Sequence, residues 1–219
     1  MGSITRSLSN NITTGGVILP AGITNSSVSA VTSFANASGG TLTLLSTQTA
    51  SNSATISFTT GLDSTYDEYQ FKFIDIHPRT DLTIFTFNLS TDSGSNYNVT
   101  KTTTAFQATH NEADGDTGLA YAGSMDLAQG TGEQYLLYNV GSGADESGSG
   151  SLTLFNPSST TYVKHFIATA NGLYGDGDYC WSMYVAGYGN TTSAINAIRF
   201  KFSSGNFDGV IKMYGVKKS

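Results

Sequence analysis

The chain is 219 residues long, 23.0 kDa, with 16 Asp and Glu against 10 Lys and Arg, a formal net charge of -6 and a pI of about 4.8. That length fits one domain, or one domain plus an arm, with room for a core that needs no disulfide. The acidic balance excludes nucleic acid as the main partner, and a single cysteine, Cys180, excludes an intrachain disulfide.

Glycine is frequent (25) and proline rare (3), while Tyr and Phe contribute 12 each to a chain rich in Ser and Thr. Thr, Tyr and Phe favour strands, and Gly, Asn and Ser punctuate turns, so the composition reads all-β. The Met1 end has neither a basic region nor an apolar run of signal-peptide type. No window is apolar enough to span a bilayer. Synthesis in a cytoplasm without a signal peptide, and no membrane insertion, are the expectations. Six Asn-x-Ser/Thr matches occur, which such a composition generates by chance.

The first segment stands apart. No charged residue lies between Arg6 and Asp63, and residues 7–40 show neither a period of two nor a helical period. They do carry Val17, Ile18, Leu19, Ile23, Val28, Val31 and Phe34, more apolar side chains than a flexible linker needs. Residues 1–40 are therefore read as an attachment arm whose apolar residues contact another subunit. Gly39-Gly40 is its hinge into a domain spanning 41–219.

Strand signals then follow in order. TLTLLST and ATISFTT are short strands. DEYQFKFIDI puts Tyr69, Phe71 and Phe73 on one face, and DLTIFTFNLS does the same for Phe85, Phe87 and Leu89. YNVTKTTTAFQATH is strand-like and leads into the acidic loop NEADGDTG. EQYLLYNV, SLTLF, TYVKHFIATA, YCWSMYVAGY, AINAIRFKF and DGVIKMYGV complete the set, the last two read as a hairpin around Ser203-Ser204-Gly205-Asn206. Short strands at this spacing, each with one apolar face, predict an antiparallel β-sandwich, with a jelly roll as the leading architecture.

Motifs for chemistry are sparse. The chain has no G-x-S-x-G elbow, and the Gly/Ser loop at 141–151 lacks the Lys and the helix of a phosphate-binding loop. The carboxylates sit in Gly-flanked polar segments where none is set up as a general acid, so no enzyme is expected. His77, His110 and His165 are isolated, and His165, mid-strand, reads as a packed or interface residue. Two loops offer several oxygen ligands on a turn, as calcium requires: Glu112, Asp114 and Asp116 in one, Asp176 and Asp178 in the other. Cys180, between Tyr179 and Trp181, is expected to be a buried thiol. Most Phe residues fall on alternating strand positions and are core by default. Among tyrosines in loops or at strand ends (Tyr97, Tyr121, Tyr174, Tyr188), Tyr174 and Tyr188 are the candidates for glycan contact, where an amphipathic ring helps.

Four segments resemble a group of marine bacteriophage virion proteins: TTGLDSTYDEYQFKFIDIHPRTD, TTAFQATHNEADGDTGLAY, LFNPSSTTYVKHFIATAN and AGYGNTTSAINAIRFKFSSGNFDGVIKMYGV. The resemblance covers about residues 50 to 216 and leaves out the arm. It implies a structural or appendage protein of the virion, made in the host cytoplasm, and transfers no catalytic residues. Capsid or tail components are the partners it implies. A poorly charged β-protein that docks on a larger assembly is expected to be a homo-oligomer, a trimer in the first instance. A fibre-tip module that binds a host surface glycan is the alternative.

Overall fold

Alternation in the apolar strands decides the architecture. Tyr69, Phe71 and Phe73 in one strand, and Phe85, Phe87 and Leu89 in the next, are all buried, so each strand has one face that must be covered by another layer. The computed structural model describes residues 42–175 and 179–216 and is all-β. Its twelve strands are β1 (Leu42–Ser53), β2 (Ile56–Phe58), β3 (Glu68–Pro78), β4 (Thr83–Ser90), β5 (Lys101–Asn111), β6 (Thr117–Tyr121), β7 (Gln134–Val140), β8 (Gly148–Phe155), β9 (Lys164–Tyr174), β10 (Tyr179–Gly189), β11 (Ala197–Phe202) and β12 (Phe207–Val216). Every pairing is antiparallel.

The pairings form a β-sandwich. One layer runs β1-β12-β3-β8-β9-β10-β5-β6, and the other runs β2-β11-β4-β7. Strand pairing joins the layers at Val140 and Tyr174, where the sheet folds over. Eight of the strands, β1-β12-β3-β8 against β2-β11-β4-β7, stand in an order compatible with a jelly roll. The other four are added to it. The β5–β6 hairpin is inserted between β4 and β7, and β9–β10 between β8 and β11. Together β9-β10-β5-β6 extend the first layer as a wing.

Aromatic packing holds the layers together. Phe200 of β11 lies 5.5 Å from Phe71 and 5.2 Å from Phe73 of β3, ring centroid to ring centroid. Phe85 of β4 meets Phe73 at 5.4 Å, and Phe87 meets Phe166 of β9 at 5.0 Å, both edge to face. Each such ring contributes about 1.5 to 3 kcal/mol through burial alone, and the edge-on geometry adds to it.

The turn at 203–206 does not make a hairpin. β11 pairs with β2 and β4, whereas β12 pairs with β1 and β3, so the turn carries the chain from one layer to the other. Phe202 and Phe207, on either side of the turn, are both buried and pack 5.7 Å apart across the interior. β12 lies inside the first layer, between β1 and β3.

Cys180 is exposed, not buried. Met183 and Val185 turn inward on β10, so strand alternation sends Cys180 to the outside, where its Sγ accepts a hydrogen bond from Asn171 Nδ2 at 3.1 Å.

Candidate functional site

The wing has an inner side facing the second layer and an outer side facing solvent. On β9 the buried residues are Lys164, Phe166, Ala168, Ala170 and Gly172, and on β5 they are Lys101, Thr103 and Ala105. The inner side is thus partly polar and tightly bonded. Lys101 Nζ donates to Asn88 Oδ1 at 2.5 Å and to the Val99 carbonyl at 2.8 Å. Burial pulls its pKa down to about 8, against the opposing pull of Glu133. Thr103 Oγ1 donates to Gln134 Oε1 at 2.7 Å, and Lys164 Nζ to the Thr191 carbonyl at 3.1 Å. These bonds tie the wing to β4, β7 and the neighbouring loops.

The outer side carries apolar residues as well. Register places Thr169, Tyr184, Phe106 and Tyr121 in one row across β9, β10, β5 and β6. Rows of Ile167-Ala186-Thr104 and His165-Tyr188-Thr102 lie to one side, and a row of Asn171-Ser182-Ala108-Leu119 to the other. Phe106 and Tyr184 stack with centroids 4.7 Å apart and planes 5° apart. Leu119 is 76% exposed, Tyr121 61%, Ile167 54% and Phe106 45%. None of these fourteen positions holds Asp, Glu, Lys or Arg. At the rim the Tyr121 hydroxyl donates to the Asp126 carboxylate, which pushes the phenol pKa up.

Between the Tyr184 and Tyr188 rows runs an open trough of about 500 Å³, lined by Thr104, His165, Ile167, Ala186 and Tyr188 among others. Ala186 keeps it low, because a larger side chain there would rise into it, while a Cβ at inward-facing Gly187 would press on the Thr102 carbonyl and Thr103. The face offers aromatic edges, aliphatic contact and side-chain hydroxyls on a sheet fixed from behind.

The expected glycan tyrosines are separated. Tyr188 lies in the trough, its ring 5.8 Å from that of His165, which is exposed on the same face. Tyr174 is at the opposite end of the β9–β10 hairpin, nine rungs or roughly 30 Å away. There it stacks on Trp181 at 5.1 Å and meets Tyr179 edge-on at 6.1 Å. Tyr97 is packed beneath Arg199, whose guanidinium carbon is 4.4 Å from the ring centre.

The acidic loop is organised by Asn111. Its Oδ1 accepts from the amides of Gly115 and Asp116, both at 2.9 Å. Asp114 faces His110 Nε2 at 3.1 Å, and Asp116 accepts the Tyr179 hydroxyl at 2.9 Å, so these carboxylates engage different partners; Glu112 is in the same turn. Among the described residues no three His, Cys, Asp or Glu side chains gather as a metal-sized cluster. Asp176 and Asp178 lie outside the described residues, as do Val17, Ile18, Leu19, Ile23, Val28, Val31 and Phe34.

Sequence reasoning did not single out Phe106, Leu119, Ile167 or Tyr184. The available signal was the pair of lysines: if Lys101 and Lys164 are read as inward, every neighbouring residue changes face. Comparison with protein-family models, curated proteins and solved structures finds no match.

Proposed function

We propose that the chain is a non-enzymatic structural protein displayed on a bacteriophage particle, as a capsid decoration or a component of a head or tail fibre. It acts as a homo-oligomer, anchored to capsid or tail proteins through residues 1–40. The observation that carries this reading is the uncharged, partly aromatic outer face of the wing, set on a scaffold whose buried lysines are tied into structural bonds. Contiguous exposed apolar surface of this kind marks an interaction site, and the absence of charge keeps the desolvation cost of covering it low. The resemblance to phage virion proteins adds support, since one of its four segments, residues 103–121, forms the β5–β6 hairpin of the wing.

The test is deletion of residues 1–40. The expected product is a folded domain that no longer incorporates into particles; a truncated protein that decorates virions normally overturns the anchoring.

The trough beside Tyr188 and His165 favours a second reading, a module that binds host surface glycan through ring contacts and neighbouring hydroxyls. Glycan-array binding lost on Tyr188→Ala supports it. Silence across a broad array removes it.

A further inference from the structure

β6 ends the first layer with one edge unpaired among the described residues. All five of its residues, Thr117–Tyr121, are exposed, and none is charged. Open edges of folded proteins are ordinarily blunted by charge, proline or a bulge, because the unpaired backbone groups accept another strand. β6 has none of these devices.

The backbone pattern shows what the edge presents. Asn111 N donates to the Asp116 carbonyl at 3.1 Å, and Ala122 N to the Ala105 carbonyl at 2.8 Å. In an antiparallel pair the bonded residues alternate. Residues 116, 118, 120 and 122 therefore point their amides and carbonyls toward β5, while Thr117, Leu119 and Tyr121 point theirs away from it. The same three residues share the outer face with Phe106, Ala108 and His110.

We propose that a second copy of this chain pairs with β6, antiparallel, about a two-fold axis at Leu119. Leu119 of one copy then stands opposite Leu119 of the other, exchanging both backbone bonds, and Thr117 stands opposite Tyr121 in each direction. Every outward amide and carbonyl of the three residues finds a partner. The aromatic rows of the two copies are joined on one side of a continuous sheet. A two-fold contact brings a surface onto itself, and Thr117, Leu119 and Tyr121, which face the axis, are uncharged, with Asp114, Asp116 and Asp126 confined to the flanks. The pairing holds whether or not the chain is displayed on a particle.

The test uses the full chain in two forms. In a Cys180→Ser background, Leu119→Cys places two thiols on a bonded pair with Cα atoms about 5.5 Å apart, a separation a disulfide spans. Ala120→Cys, one residue along and also exposed, has its symmetry mate two residues out of register, on the same face but beyond disulfide reach. With glutathione disulfide as the oxidant, Leu119→Cys is expected to give a linked pair of chains and Ala120→Cys is not. Failure of both, or equal linking of both, overturns the proposal. In the otherwise native chain Leu119→Lys is expected to halve the mass measured by light scattering with the far-ultraviolet spectrum unchanged, since the side chain packs against little within its own copy. An unchanged mass overturns the pairing. A native chain that is monomeric, with a Tyr184-dependent response to glycan, assigns the face to sugar instead and equally overturns it.

Discussion

Phe106 and Tyr184 stack face to face on the outside of the molecule, 4.7 Å apart, while their strand neighbours Ala105, Met183 and Val185 are buried on the inner side. Rings on a solvent face do little for folding compared with rings in the core. Phe106→Ser should therefore change unfolding free energy by about 1 kcal/mol or less, in line with the coupling of an exposed aromatic pair. Phe200→Ala, which empties the centre of the interlayer cluster, should cost about 3 to 5 kcal/mol. Urea titrations of the two variants check the contrast.

Lys101 gives the stability a pH dependence. Its pKa is about 8 in the fold against the ordinary 10.5. Below about pH 8 the lysine is protonated in both states, and the fold bears the full desolvation penalty. As pH rises from about 8 toward 10.5 the folded state sheds its proton first, so the penalty is relieved and stability increases, by about 3 kcal/mol over the window at roughly 1.4 kcal/mol per pH unit. Burial lowers Lys164 as well, which acts in the same direction. Tyr69, whose phenol is raised by burial, acts in the opposite direction above about pH 10. Chemical melts between about pH 8 and 9.5 should show the rise, with a shallower slope in Lys101→Met.

Gly205 sits in the turn between the layers at φ 71°, and a Cβ added there would lie 2.0 Å from Thr80 Oγ1. Gly205→Ala should destabilise by about 1 to 3 kcal/mol, from the left-handed backbone and the displaced threonine together. A drop in melting temperature with an unchanged far-ultraviolet spectrum is the expected result.

Cys180 lies on the outer face of β10, so its thiol should react with a disulfide reagent in the native state, one equivalent per chain, at a rate close to that of the unfolded chain. Reaction only after denaturant would show the strand facing the other way.

The core strands were legible because their pattern is unambiguous. In β3 and β4 the large apolar residues alternate with polar ones, and only one face can be inside. The wing was not legible for the same physical reason reversed. In KTTTAFQATH the aromatic ring marks the solvent side, and the inward positions are Lys101, Thr103 and Ala105, whose polar groups are satisfied by partners far along the chain such as Gln134. β6 gives no strand signal, because Thr-Gly-Leu-Ala-Tyr buries nothing. The turn at 203–206 looked like a hairpin because local periodicity cannot tell a strand that pairs with its neighbour from one that crosses to another layer. The site followed the wing into obscurity: Tyr188 was found at its edge, and the stacked pair at its centre was assigned to the core or passed over.

The wing's outer face as the working surface is tested most directly by a cryo-electron map of the parent particle at side-chain resolution. The account predicts that in every copy β6 is paired with β6 of a second copy and the Phe106–Tyr184 row is covered. Copies in which that edge and that row both face bulk solvent would contradict it.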